Sequence, residues 1–178
     1  NEKITTIYNF INQENIKIQA SQKMEHDISD FIKDSKLFVN IGRLETQKNQ
    51  KRLIKQFAEL RKERDDIKLL IIGSGQLKKE LDDLIIQLGQ KEAIRILSYC
   101  HNPFPYLKRA NVFVLASHHE GLPNALFEAI CLGIPSIAVD CLSGPRELLD
   151  SNADYNEKID GFMLCKRGIL VTDSNSED

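Results

Sequence analysis

A doubly wound α/β fold, with a parallel sheet of about six strands and helices on both faces, is predicted from three features of this 178-residue chain. Short apolar runs alternate with stretches whose apolar residues recur at helical spacing. Several of those helical stretches stop at a glycine, the residue that ends a helix most easily in a left-handed turn. Runs such as Leu69–Ile72 are apolar without interruption, as strands covered on both sides require.

The elements follow in order. Residues 1–19 are polar and mixed, apart from a short apolar stretch at Ile4–Phe10, and read as a connecting linker. Met24, Ile28, Phe31 and Ile32 recur at helical spacing, and Leu37–Ile41 is a strand ending in Gly42. Leu53, Phe57 and Leu60, flanked by Ile54 and Ala58, form the stripe of a helix running to about Arg64. Ile67–Ile72 is the second strand, closed by Gly73. Leu77, Leu81, Leu84, Ile85 and Leu88 give the clearest amphipathic helix, stopped by Gly89. Strands are expected at Ile94–Leu97, Asn111–Leu115 and Ile134–Val139, with a helix from Pro123 to Leu132 before the last of these, stopped by Gly133. A short helix at Pro145–Leu149 and a strand at Gly168–Val171 complete one Rossmann-like domain over residues 20–171. Residues 172–178 are polar and acidic and read as a flexible tail.

Composition narrows the function. The chain is 42% hydrophobic and 28% charged, enough for one domain burying roughly 70% of the surface its unfolded form exposes. It is too short for two large domains with a cleft between them. A net charge of −2 provides no basic field for nucleic acid. No apolar run approaches about 18 residues, and no apolar leader marks the chain for secretion. The start at Asn1, without Met, suggests a processed product or an excised piece. Cys100, Cys131, Cys141 and Cys165 are widely spaced, which predicts reduced, mostly buried thiols in a cytoplasmic protein and no zinc site. His118 and His119 are adjacent and cannot both face one metal from a regular strand. No Gly-x-Ser-x-Gly elbow and no Walker loop is present.

In doubly wound sheets ligands bind beyond the carboxyl ends of the strands. Gly42-Arg43-Leu44 and Lys48-Asn49 follow the first strand, Gly73-Ser74-Gly75 the second, and Ser117 to Ala125 the fourth. Arg43 and Lys48 precede or open a helix, where cations oppose the dipole and a bound phosphate would reverse that sign. The same cations read equally as solvated surface, as Lys51 and Arg52 do. Gly121 permits close backbone approach or an unusual φ, and Pro123 suits the first turn of the helix that follows. Along that helix Leu126, Ala129 and Ile130 point to the core, while Asn124 and Glu128 lie together on the opposite face one turn apart. A carboxylate there accepts hydrogen bonds from a diol such as a ribose, and Glu120 in the loop reaches another part of the same ligand. On geometry alone Glu128 is equally an exposed helix residue. Gly73-Ser74-Gly75 lacks the third glycine of the dinucleotide fingerprint, which counts against a nicotinamide enzyme.

Taken together, Gly42-Arg43-Leu44 with Lys48-Asn49, then Gly73-Ser74-Gly75, then Ser117-x-x-Glu120-Gly121-Leu122-Pro123-Asn124-Ala125-x-x-Glu128-Ala129 resemble the donor-binding domain of glycosyltransferase family 4. Gly133-Ile-Pro135, Ser143-Gly-Pro-Arg-Glu147 and the opening Ile7 to Asn12 extend the resemblance over residues 6–171. It implies one half of a retaining GT-B enzyme that moves a sugar from a nucleotide-diphosphate sugar to a glycan or lipid-linked acceptor in bacterial polysaccharide or glycolipid synthesis. By resemblance Arg43 and Lys48 clamp the diphosphate, Glu128 holds the ribose hydroxyls and Glu120 contacts the transferred sugar. Backbone N–H groups at Leu122, Pro123, Asn124 and Ala125 would meet sugar or phosphate oxygens, although Pro123 itself has none to give. Gly42, Gly73, Ser74, Gly75 and Gly121 border the donor, and Tyr99 in Leu97–Cys100 borders the base. No cofactor is implied, and no metal, because the two cations stand in for one.

Two departures stand out. Ser98 lies where the family often has glycine. The more serious is that a complete enzyme has two such domains, with the acceptor and any contact with a membrane surface in the N-terminal one; the chain matches only the second, and the family's closing helices after the last strand are missing too. The expectation is therefore a chain that binds donor and transfers nothing by itself. A nucleotide-binding regulatory module and an epimerase-type enzyme are the competing readings; the Glu120–Glu128 pair favours the transferase.

Overall fold

The computed structural model describes residues 9–141, 143–150 and 159–172. The helices are α1 (Gln13–Gln19), α2 (Ser29–Ile32), α3 (Gln50–Leu60), α4 (Lys78–Gln87), α5 (Phe104–Lys108), α6 (Asn124–Cys131) and α7 (Gly144–Leu149). The strands are β1 (Lys36–Ile41), β2 (Ile67–Ile72), β3 (Ile94–Leu97), β4 (Val112–Leu115), β5 (Ser136–Val139), β6 (Phe162–Cys165) and β7 (Gly168–Val171). They form one sheet in the order β3-β2-β1-β4-β5-β7-β6. Every neighbouring pair is parallel except β6 with β7. This is the doubly wound architecture expected from the sequence, and the chain order reverses between β1 and β4.

The period of two along each strand sorts its side chains onto two cores. Leu37 and Val39 of β1, Leu70 and Ile72 of β2, and Phe113 and Leu115 of β4 face α2, α5, α6 and α7. Leu69 and Ile71 of β2 meet α3 and α4 on the other face, with Phe38 and Val114 partly buried against the same core. The rings of Phe38 and Phe57 meet edge to face at 5.6 Å. Glycines end α4 and α6 as expected, Gly89 at φ +68° and Gly133 at φ +74°.

Several elements differ from the sequence expectation. The helical spacing from Met24 to Ile32 shortens to the single turn of α2. Part of the connecting segment is helical: α1 begins where the Asn12 side chain accepts the Asn15 N–H at 3.0 Å, and it lies against α5 and α6. One strand more than expected is present, β6, along which β7 returns through Lys166–Arg167, a two-residue turn that lacks the glycine or asparagine marking most tight hairpins. Most of the polar tail, residues 173–178, lies outside the described residues. Among the described residues no helix is long and apolar enough to cross a membrane.

Candidate functional site

Past their carboxyl ends, β1 and β2 run into loops that lie on one another. Gly42 N–H donates to the Ile72 carbonyl and Gly73 N–H to the Leu97 carbonyl, both at 3.0 Å, extending the ladder past the strands. A Cβ at Gly73 would stand 1.9 Å from the Gly42 carbonyl oxygen, so no side chain fits there. Leu44 N–H then donates to the Ser74 carbonyl at 2.9 Å. The buried Gln50 donates its amide to the Arg43 carbonyl at 2.9 Å, fixing the backbone that carries the guanidinium. The Arg43 side chain itself is exposed, 3.2 Å from Glu45. Asn49, at φ +53°, turns the chain from a single 3-10 turn (Thr46–Lys48) into α3.

The strands on either side of the chain reversal separate early. Only Phe38–Val112 and Val39–Phe113 are in register between β1 and β4. Beyond them Asn40, 2% exposed, reaches across with its side-chain amide to the Val114 carbonyl at 2.8 Å. The loops above this split are tied together. Lys48 Nζ lies 2.6 Å from Glu120 Oε1, and the same oxygen accepts the Ser117 hydroxyl at 2.6 Å. Their side chains are 20% and 8% exposed, a half-sheltered pair in which the Coulomb term is less screened than at open surface. Gln47 joins the same two loops: its carbonyl accepts the His118 N–H at 3.0 Å and its amide donates to the His119 carbonyl at 2.9 Å. From the other side, Ser143 N–H donates to the Glu120 carbonyl and Gly144 N–H to the Gly121 carbonyl.

A cleft of about 360 Å³ opens over these ends. Ile41, Gly42 and Arg43 line it from β1, Ile72, Gly73 and Ser74 from β2, and Tyr99, Cys100, His101, Pro103 and Phe104 from the segment after β3. Glu128 completes the lining from α6. Glu128 is half-buried, and this burial pushes its carboxyl above the ordinary range. Lys48 adjoins the cleft floor: a Cβ at Gly42 would touch its methylenes at 3.6 Å. Larger hollows of about 530 and 470 Å³ lie elsewhere, around Lys23 and Arg109 and around Gly133 and Lys166, away from this cluster of strand-end residues.

Of the residues singled out in the sequence, Gly42, Arg43, Gly73, Ser74, Tyr99 and Glu128 share this cleft, and Lys48 meets Glu120 beside it. The others lie outside the cleft lining. Gly75 rests on the Leu44 carbonyl. Gly121 has neither a left-handed φ nor any atom within 4 Å of a notional Cβ; the tight backbone approach belongs to Gly144, whose Cβ would fall 1.9 Å from the Gly121 oxygen. Leu122 is half-buried, and Pro123 is buried at the N-cap of α6 rather than inside its first turn. Ala125 packs on the core. Asn124 accepts a hydrogen bond from Asn9 at 2.9 Å, while Glu128, one turn on, faces the cleft. His101, Pro103 and Phe104 were not singled out in the sequence. The signal for them is Asn102-Pro103-Phe104-Pro105, a turn-forming pair and a second proline that open a short helix.

Among known proteins, the chain is 40% identical over 152 residues to an uncharacterized glycosyltransferase of Methanocaldococcus jannaschii, covering 85% of this chain and 37% of the relative. It is 37% identical over 147 residues to the Campylobacter jejuni N-acetylgalactosamine-N,N'-diacetylbacillosaminyl-diphospho-undecaprenol 4-alpha-N-acetylgalactosaminyltransferase, covering 83% of this chain and 38% of the relative. The chain thus spans less than two-fifths of the length of either. Its fold matches a mutant of S. aureus TarM, solved with fondaparinux, alpha-GlcNAc-glycerol and UDP, at a TM-score of 0.74 and 22% identity, over 98% of this chain and 30% of that one. Anabaena HepE, solved with UDP and glucose, matches at 0.67 and 20% identity, over 81% and 40%. At such identities the likeness bears on the fold, that of a GT-B glycosyltransferase domain. The sequence pattern of the glycosyl transferases, group 1, matches residues 21–177, and the chain belongs to that family.

Proposed function

We propose that this chain is the donor-binding domain of a retaining glycosyltransferase of family 4, taking a nucleotide-diphosphate sugar as its ligand. The observation that carries the proposal is the Lys48–Glu120 pair across the β1/β4 reversal, beside a cleft that holds Arg43 and Glu128. Arg43 and Lys48 are the cations for the diphosphate. As the glycosidic bond breaks, negative charge builds on the departing nucleotide, and fixed cations stabilise that state more than the ground state. Glu128 accepts hydrogen bonds from the ribose diol, Glu120 meets the transferred sugar, and the first N–H groups of α6 face sugar or phosphate oxygens. Two cations serve where a metal would otherwise neutralise the diphosphate.

TarM and HepE, described with UDP bound, support a nucleotide ligand, and the Campylobacter relative, named for a diphospho-undecaprenol substrate, supports a lipid-linked glycan acceptor. The whole transferase would work at the cytoplasmic side, with acceptor and membrane contacts in an N-terminal domain. Closing a reaction site against water and orienting the acceptor needs both halves, so the 178-residue chain should bind donor without turnover. Calorimetry with UDP, GDP and ADP tests the site. Wild type should bind at least one of them, and both Lys48→Ala and Glu128→Ala should lose affinity, by about tenfold or more for the charged contact. Loss in Lys48→Ala alone would mark a generic phosphate site, and measurable sugar transfer by this chain would overturn the half-enzyme reading.

A further inference from the structure

The wall of the cleft after β3 has little regular structure of its own. The last ladder bond there is Gly73 N–H to the Leu97 carbonyl, residues 98–103 are irregular, and α5 is a five-residue helix. Pro103, as N-cap, has no N–H to anchor it. Further along, α5 is tied to the N-terminal stretch by the Tyr106 hydroxyl, which accepts the His26 N–H at 2.8 Å, and by Lys108 Nζ, which donates to Ser21 Oγ at 3.1 Å; at the irregular end of the wall the ties are made by Asn102. Its backbone N–H donates to Glu25 Oε1 at 2.9 Å. Its side-chain amide donates to the Gln19 carbonyl at 3.0 Å and to Gln22 Oε1 at 2.9 Å. Its Oδ1 accepts the Phe104 N–H at 3.1 Å, capping the first turn of α5. All three outside partners lie at the end of α1 or just after it.

That same N-terminal stretch also reaches α6. The Gln13 amide donates to the Cys131 carbonyl at 3.1 Å, and Asn9 donates to Asn124. Ile16 and Ala20, 5% and 4% exposed, anchor it between α5 and α6. Residues 9–25 are thus a strap on the outside of the domain, bonded at one end to the helix that carries Glu128 and at the other to the wall that carries Tyr99. We propose that Asn102 is a positioning residue: by tying the Tyr99–Phe104 wall to this strap it sets that wall's spacing from Glu128, and so governs how tightly the base-and-ribose end of a nucleotide is held. This rests on the nucleotide reading given above. The diphosphate end, served by Arg43 and Lys48 on a different loop, is independent of Asn102.

The test compares Asn102→Asp and Asn102→Ala with wild type. Asn102→Asp keeps the shape and the acceptor for Phe104 but turns a donor into a carboxylate facing the Gln19 carbonyl and the Gln22 side chain. Calorimetry is run with whichever of UDP, GDP and ADP wild type binds best, and with inorganic pyrophosphate. Affinity for the nucleotide should fall about three- to tenfold in both variants, the scale of one or two lost hydrogen bonds, while pyrophosphate affinity stays within about twofold. Amide exchange gives a ligand-free readout. Exchange at Tyr106 and Leu107, whose N–H groups donate to the Pro103 carbonyl, should quicken about tenfold or more in both variants, and at Phe104 in Asn102→Ala, with Leu69–Ile71 in β2 unchanged, which also shows that the variant is folded. Unchanged exchange along the wall, unchanged nucleotide affinity, or an equal fall for nucleotide and pyrophosphate would overturn the assignment. Should wild type bind no nucleotide, it is the reading of the site that fails, and the exchange data still decide whether Asn102 holds the wall.

Discussion

Glu128 is a cleft residue whose chemistry responds to its surroundings. Burial raises its carboxyl in the folded chain above the unfolded value. It therefore lends stability at low pH, where both states hold the proton, and that contribution is lost as pH rises through the raised value. Glu128→Gln should be more stable than wild type at neutral pH in urea unfolding, with the difference closing towards pH 4. If the ionised carboxylate holds a ribose diol, nucleotide affinity in wild type should fall as pH drops through that range, while Glu128→Gln shows only the titration of the ligand's own phosphate. Arg43, Lys48 and Glu120 could be picked out in the sequence because they follow strands, where doubly wound sheets place their ligands, although charge alone read equally as solvated surface. The role of Asn102 was not legible, since its placement depends on bonds to residues about eighty positions away, one of them to a backbone carbonyl that any sequence supplies.

At the scale of elements, the loops are held by main-chain contacts that leave no room for side chains in a few places. The start of α7 touches the Glu120–Gly121 loop so closely that Gly144→Ala must displace one or the other. We expect a loss of about 1–3 kcal/mol, as for other overpacked sites, read as a lower melting temperature. Gly121→Ala, with open space around it, should leave stability within about 0.5 kcal/mol of wild type; a fall in nucleotide binding in that variant would then report on the ligand's approach alone. The sequence placed the special backbone at Gly121 because a glycine between strand and helix is the usual sign of one. A contact between segments more than twenty residues apart leaves no such local mark. For the same reason the strands with apolar runs were legible, whereas β6, with its Lys166–Arg167 turn, and the five-residue α5 were not.

For the whole molecule, the end of β5 is fastened to α7 by a sheltered ion pair. Arg146, 6% exposed, donates to Asp140 through Nε at 3.0 Å and through Nη2. Arg146→Ala leaves the Asp140 carboxylate, 17% exposed, without its cation, so it should lower unfolding stability by about 2–4 kcal/mol in urea titration, far more than Arg43→Ala, whose side chain is mostly in solvent. On the donor-binding reading proposed above, stability and recognition are thus drawn from different residues. Tyr99, 70% exposed, and the neighbouring exposed Ser74 and His101 form a rim that adds almost nothing to either core. Exchanging them should leave the folded population intact, and on that donor-binding reading this rim is where a single codon change would retune the same scaffold to a different cargo.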